Sequence, residues 1–176
     1  MDPNELSIYL ELQQTLHDIR HKPLDDLFAL ALDIMPCDDL FLDFINSLDE
    51  KHKTLALKAS LLVYFASKCK IVPRIFQLEA NNALEDGRDV LIDSGTGSGK
   101  TLCQIIPNLM HPTTMSISIS PLKRLQILQV AELQSWGINA ISINEDTPNI
   151  KQLWNHIRDG YFQHLIVRPG LSRGHW

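Results

Sequence analysis

Apolar residues in the first seventy positions recur every three or four places, the repeat of helices with one buried face. Leu6, Tyr9, Leu10, Leu12 and Leu16 mark one such face, and Leu24, Leu27, Phe28, Leu30 and Leu32 a second that Pro36 interrupts. A third helix is expected to open at Asp38 or Asp39 and turn Leu40, Phe41, Phe44, Ile45 and Leu48 inward; a fourth is expected over residues 55–67, through Leu61, Leu62 and Phe65. After Ile71 the pattern changes. Residues 90–93 form an apolar run of strand type, 114–120 alternate apolar with polar, and 138–143 and 165–167 are two more short apolar runs. Between them, residues 100–110, 121–136 and 150–159 carry helical spacing, so the order is β-α-β-α and predicts a parallel sheet covered by helices. Pro107 lacks an N–H and predicts a kink or an early stop in the first of these helices.

Charge divides the chain unevenly. Residues 1–70 hold seven Lys and Arg against twelve Asp and Glu, a net of −5, whereas residues 71–176 hold nine of each. Bulk attraction to a polyanion is therefore excluded for the first part, and any nucleic-acid contact must come from placed residues in the second. No apolar run approaches the ~18 residues that span a bilayer, and the N-terminus MDPNELSIYLELQQ is acidic rather than signal-like. The expectation is an intracellular soluble protein, nuclear if its source is eukaryotic, with no membrane partner. Cys37, Cys69 and Cys103 have no C-x-x-C spacing and read as reduced, mostly buried thiols. The repeated Asp-Asp-Leu-Phe at 25–28 and 38–41 reads as metal-ligating carboxylates or as helix-start carboxylates favoured by the helix dipole; the second reading is preferred. His17, His21 and His52 have no ligand spacing and read as surface residues.

The chemistry concentrates in Ser94-Gly95-Thr96-Gly97-Ser98-Gly99-Lys100-Thr101, which follows the apolar run 90–93 and precedes a helix. Glycines at 95, 97 and 99 let successive backbone N–H groups curl around phosphate oxygens, and the helix that follows adds its positive end. Lys100 would reach the β- and γ-phosphates of ATP, and the Thr101 hydroxyl would ligate Mg²⁺. The pattern G-x-x-x-x-G-K-[ST] is missed at one position, since Ser94 stands where it asks for glycine. A small residue there followed by Gly-x-Gly-Lys-Thr resembles motif I of the superfamily 2 helicases and translocases, close to A-x-T-G-x-G-K-T.

Further segments make the resemblance more particular. Pro73-Arg74-Ile75-Phe76-Gln77, with Ala83-Leu84 and Gly87-Arg88-Asp89-Val90 after it, is similar to the F-R-P-x-Q element that precedes motif I in RecQ-type DNA helicases. Leu102-Cys103-Gln104-Ile105-Ile106-Pro107 is similar to the run L-C-Y-Q-L-P of those helicases. Ile119-Ser120-Pro121-Leu122-Lys123 resembles motif Ia, and Trp136-Gly137-Ile138-Asn139-Ala140 with Asn144-Glu145-Asp146-Thr147-Pro148 continues the similarity. The resemblance implies that Gln77 reads adenine through its amide, which can pair with N6 and N7, and that Arg74 stacks on the base or helps hold it. It implies that Ser120, Pro121, Leu122 and Lys123 contact the DNA backbone; Lys123 and Arg124 read equally as solvated helix-start charges. Pro73 stands in place of the family's aromatic residue, and Arg168 and Gly170 replace two of three residues in the S-P-E that ends the next strand.

The expected fold class is thus α/β: a P-loop RecA-like parallel sheet flanked by helices, an incomplete first lobe, preceded by a small all-α segment. The expected domains are residues 1–70, helical, and 71–176, a partial first RecA-like lobe. The expected function is the ATP-binding part of a RecQ-like 3′ to 5′ DNA helicase that uses ATP and Mg²⁺ and touches DNA. Residues 1–70 are a candidate surface for a protein partner. The alternative is a catalytically inactive nucleotide-binding and protein-interaction module. The acids after the loop are Glu132, Glu145, Asp146 and Asp159. None has clear Walker B spacing, so Glu145 and Asp146 read as a surface loop, and the catalytic carboxylates and arginine finger are expected outside this chain. A small P-loop kinase would need an arginine-rich lid, and Arg124, Arg158, Arg168 and Arg173 are scattered.

Overall fold

The computed structural model describes residues 3–36 and 40–170. The expected cap at Asp38 or Asp39, the second Asp-Asp pair and the Cys37 thiol lie outside the described residues. The chain forms two compact units, 1–110 and 111–176.

The first unit is helical: α1 (Pro3–His21), α2 (Leu24–Ile34), α3 (Leu42–Ser47), α4 (Glu50–Ala66), α5 (Ile75–Glu85) and α6 (Leu102–Met110). Its centre is α4, which packs against the other five helices. Ala56, Leu57, Ala59, Leu61, Leu62 and Val63 are fully buried along it, so this helix is apolar on most of its circumference. Asp49 caps its start, Oδ1 accepting from the His52 N–H at 2.9 Å. Two long side chains tie α1 into the unit. Lys58 Nζ donates to the Arg20 carbonyl at 2.6 Å, and Arg20 Nε donates to the Leu109 carbonyl at 2.7 Å.

Three expectations are corrected here. Only the second half of α1 is buried, through Leu16 and Ile19; Leu6, Tyr9 and Leu10 are exposed. Residues 90–93 form no strand and join no sheet among the described residues, since strand pairing needs a neighbouring backbone and none pairs with this run. Leu91 is 95% exposed in consequence. Cys69 is exposed, in a left-handed conformation (φ 61°) just past α4, while Cys103 is buried as expected. The helix α6 begins at Leu102 and runs through Pro107 without stopping. Asn108 Nδ2 donates to the Gln104 carbonyl at 2.7 Å on the next turn.

The second unit is the α/β part: β1 (Ser116–Ile119), α7 (Lys123–Ser135), β2 (Ala140–Ile143), α8 (Lys151–Arg158) and β3 (His164–Val167). The three strands are parallel in the order β1-β3-β2, with Ser116 and Ala140 both in register with His164. The first crossover advances two positions and the second steps back one, so right-handed connections put α7 and α8 on opposite faces. Ile143, Ile157 and Leu165 form the core beneath α8, joined by Leu153, Trp154 and Phe162. The edge strand β1 reverses the usual alternation. Ser116 and Ser118 face partly inward, where His164 Nδ1 and Nε2 lie 2.6 Å and 2.9 Å from their hydroxyls, while Ile117 and Ile119 are exposed.

Candidate nucleotide site and strand-end cluster

The glycine loop lies wholly in the first unit, between the extended run 90–93 and α6. Gly97 (φ 80°) and Gly99 (φ 87°) sit in the left-handed region that a side chain disfavours, so the turn needs glycine at these two positions. A Cβ on Gly99 would also lie 2.8 Å from Gln77 Nε2, whereas nothing lies within 4 Å of one on Gly95 or Gly97. Gly95, Thr96, Gly97, Gly99 and Lys100 are exposed, and Ser94, Ser98 and Thr101 are half-buried. The loop closes on itself. Lys100 Nζ donates to the carbonyls of Ser94 (2.7 Å) and Gly95 (2.8 Å), and the Ser94 and Ser98 hydroxyls are 2.7 Å apart.

Gln77 lies nearly buried under this loop and uses both ends of its amide. Oε1 accepts from the Arg74 N–H at 2.8 Å, which closes the first turn of α5, and Nε2 donates to the Gly99 carbonyl at 2.8 Å. Arg74 is exposed at the N-cap position of α5. The structure therefore brings Arg74, Gln77 and the 94–101 loop together. The space over Gly95 and Gly97 is open, and the exposed Lys100 and half-buried Thr101 follow in the same turn. Among the described residues no three His, Cys, Asp or Glu side chains gather as a metal site. Asp25 and Asp26 stand in the first turn of α2, the place the helix-start reading gives them.

The motif Ia-like residues lie in the second unit, where the chain leaves β1. Ser120 is buried; its N–H donates to the Val167 carbonyl at 2.9 Å and its own carbonyl accepts from Gln126 Nε2 at 2.8 Å. Pro121 and Leu122 are exposed, and Lys123 opens α7. Lys123 is not a free cation: Nζ is 2.7 Å from Asp146 Oδ2 and 2.9 Å from Glu145 Oε1, and Arg168 also donates to Glu145 Oε1. Hydrogen bonds from Asp146 and then Glu145 raise the Lys123 pKa. Arg168 first, then Lys123, hold Glu145 down at about 2. Glu145 and Asp146 are exposed in the turn after β2, as the loop reading has them.

A model of the DEAD/DEAH box helicases matches residues 74–175, more than half of the chain. The chain belongs to that family. Within it the chain is RecQ-like. It is 37% identical over 95 residues to the ATP-dependent DNA helicase RecQ of Haemophilus influenzae, covering 53% of this chain and 15% of that one. It is 42% identical over 73 residues to the RecQ-like DNA helicase BLM of Xenopus laevis, covering 42% of this chain and 5% of that one. A third relative, the ATP-dependent DNA helicase RecQ of Bacillus subtilis, is 40% identical over 76 residues, 42% of this chain and 13% of its own. The chain thus spans a small fraction of each relative's length. It carries a helicase-type nucleotide-binding part with a three-stranded parallel sheet.

Sequence reasoning named Arg168 and Asn144 without their partners and missed Gln126. Asn144 Nδ2 donates to Gln126 Oε1 at 2.9 Å, and its Oδ1 accepts from the Asp146 N–H at 3.0 Å. The second of these, from an asparagine side chain to the backbone two residues on, is the bond by which asparagine forms turns, the loop character read for Asn144, Thr147 and Pro148. Nothing local marks Gln126, which is buried 18 positions away from Asn144 on α7.

Proposed function

We propose that this chain is the ATP-binding part of a RecQ-like 3′ to 5′ DNA helicase, with residues 1–70 as a helical segment and 71–176 as part of the first RecA-like lobe. The family match begins close to that division, at residue 74, whereas the compact units divide after Met110. The observation that supports the reading most is the 94–101 loop, with Gly97 and Gly99 at positive φ and the lysine at its mouth. In this reading successive backbone N–H groups of the loop hold the phosphates, the Ser98 N–H and Lys100 leaving the Gly95 and Ser94 carbonyls that they hold in the free protein, and Thr101 ligates Mg²⁺. ATP, when bound, supplies the phosphoanhydride whose cleavage drives movement on DNA. Gln77 selects adenine through both ends of its amide, which in the free protein hold the Arg74 N–H and the Gly99 carbonyl, and Arg74 lies alongside the base. Ser120, Pro121, Leu122 and Lys123 contact the DNA backbone.

No helix among the described residues is long and apolar enough to cross a membrane. The site reading goes with an intracellular protein, nuclear if the source is eukaryotic. The second reading, a nucleotide-binding module that engages a protein partner, draws on the exposed Leu6, Ile8, Tyr9 and Leu10 on α1 beside the exposed Glu5 and Glu11.

Thermal unfolding with nucleotide tests the first reading. A ligand at 100 times its Kd adds about 2.7 kcal/mol to the state that binds it. ATP with Mg²⁺ is expected to raise the unfolding midpoint, and GTP to raise it less. No shift with either nucleotide at millimolar concentration removes the assignment.

A further inference from the structure

Because all three strands are parallel, the turns that follow them emerge at one edge of the sheet, the usual location of ligand sites in open α/β sheets. Ser120–Lys123 follows β1, Asn144–Thr147 follows β2 and Arg168 follows β3. Two cations meet there on one oxygen. Both Lys123 Nζ and Arg168 Nη1 donate to Glu145 Oε1, and Lys123 also donates to Asp146. An oxygen held by two cations at a strand end has the surroundings of a phosphate oxygen; here the protein's own carboxylate occupies the place.

The frame behind this cluster is pinned. Gln126, fully buried, donates to the Ser120 carbonyl and accepts from Asn144, and Asn144 accepts from the Asp146 N–H. The Arg168 N–H donates to the Ile143 carbonyl at 3.2 Å, joining the ends of β3 and β2. The turns are therefore fixed relative to one another while the charged tips remain in solvent.

Resting on the reading that this edge contacts DNA, we propose that Lys123 and Arg168 form a binding pair for one phosphodiester of single-stranded DNA, which Glu145 and Asp146 mask in the free protein. The mask is displaceable by its nature. Pairs this exposed contribute only about 0–1 kcal/mol each and weaken with salt, so an incoming phosphate exchanges for the carboxylates at little cost. The fork of Arg168 then takes a phosphate oxygen and Lys123 a second, beside the N–H groups that open α7. The mask accounts for an otherwise unused acidic pair. It also makes DNA binding by this chain weak and adjustable rather than absent.

Anisotropy of fluorescein-labelled oligo(dT), titrated with the full chain over a range of KCl, tests the inference. The Glu145→Gln/Asp146→Asn variant is expected to bind several-fold tighter at low salt. Its slope of log affinity against log salt is expected to steepen by about 0.7 for the recovered phosphate contact. Adding Arg168→Ala is expected to abolish the gain. Glu132→Gln/Asp159→Asn, which removes two exposed acids outside the cluster, sets the effect of charge alone. A gain no larger than that of Glu132→Gln/Asp159→Asn, or one that survives Arg168→Ala, overturns the masked pair. If Lys123→Ala weakens binding but neutralising the acids changes nothing, the mask fails and the DNA reading stands. If no variant binds oligo(dT), both fall.

Discussion

The Gln77 side chain holds the carbonyl of Gly99, donating from Nε2 at 2.8 Å while its Oε1 accepts from the Arg74 N–H. One buried amide thus fastens the last glycine of the loop to the first turn of α5. Gln77→Ala removes both bonds, leaving the Arg74 N–H without its side-chain partner while the Gly99 carbonyl keeps the Leu102 N–H at 3.0 Å, a loss of about 0.5–1.5 kcal/mol for each bond. Chemical denaturation is expected to show a loss in that range. The ratio of ATP to GTP affinity is expected to fall toward one; loss of stability with an unchanged ratio would make Gln77 an anchor for the loop and not a reader of the base.

Gly99 and Gly95 should respond differently to alanine. At Gly99 the left-handed backbone and a contact 2.8 Å from Gln77 Nε2 both oppose a side chain, whereas Gly95 has neither constraint. A left-handed non-glycine residue costs roughly 1–2 kcal/mol before the clash is added. Gly99→Ala is expected to lower stability by at least that amount, and Gly95→Ala to leave the unfolding midpoint nearly unchanged. Equal losses would show that the loop adopts another conformation in solution.

The loop was legible in the sequence because its geometry demands particular residues at particular places, and so was α4, whose apolar run leaves few alternatives to burial. The run 90–93 was legible as strand-like in composition but not in pairing, because a strand depends on a neighbour its own residues do not encode. The same limit applies to α1. Leu6 and Leu16 share a helical face by spacing, yet only Leu16 is buried. Lys123 was found by its position after β1, but its partners Glu145 and Asp146 were not. They lie a crossover away in sequence and meet it only because β1 and β2 end at the same edge.

Two histidines give the two units opposite responses to pH. His52 sits between Asp86 (Nε2 to Oδ2 2.9 Å) and Asp49 (Nδ1 to Oδ2 2.6 Å), with Lys51 and Arg88 also on Asp86. Hydrogen bonds to Asp86 and then Asp49 raise its pKa, so its contribution is full below the ordinary histidine value and is lost as pH rises through the raised one. Burial lowers the pKa of His164, so its contribution is present above the ordinary value and is lost as pH falls through the lowered one. Amide exchange followed from pH 5 to 9, corrected for the intrinsic rate, is expected to show α4 and α5 loosening toward alkali and β1 and β3 toward acid. His52→Gln should remove the alkaline limb alone. The same pH response in both units would contradict these assignments.

Thiol reactivity should separate Cys69 from Cys103. Cys69 is exposed, while burial in α6 pushes the Cys103 thiol up and shields it. In a Cys37→Ser chain, a soluble disulfide reagent is expected to modify one thiol rapidly and the second only as the first unit opens. Two fast phases would mean that the first turn of α6 is unfolded in solution.

The central claim is that residues 94–101 bind a nucleoside triphosphate through Lys100, and isothermal calorimetry of ATP with Mg²⁺ against wild type and Lys100→Ala tests it most directly. The lysine is exposed and, among the described residues, bonds to loop carbonyls, so its removal is expected to leave the unfolding midpoint in place. A hydrogen bond to a charged group contributes about 1.5–3 kcal/mol, and 1.4 kcal/mol is tenfold in affinity. Saturable binding by wild type, weakened at least about tenfold in Lys100→Ala, is the predicted result; equal affinity in the two proteins, or no binding by wild type, would contradict it.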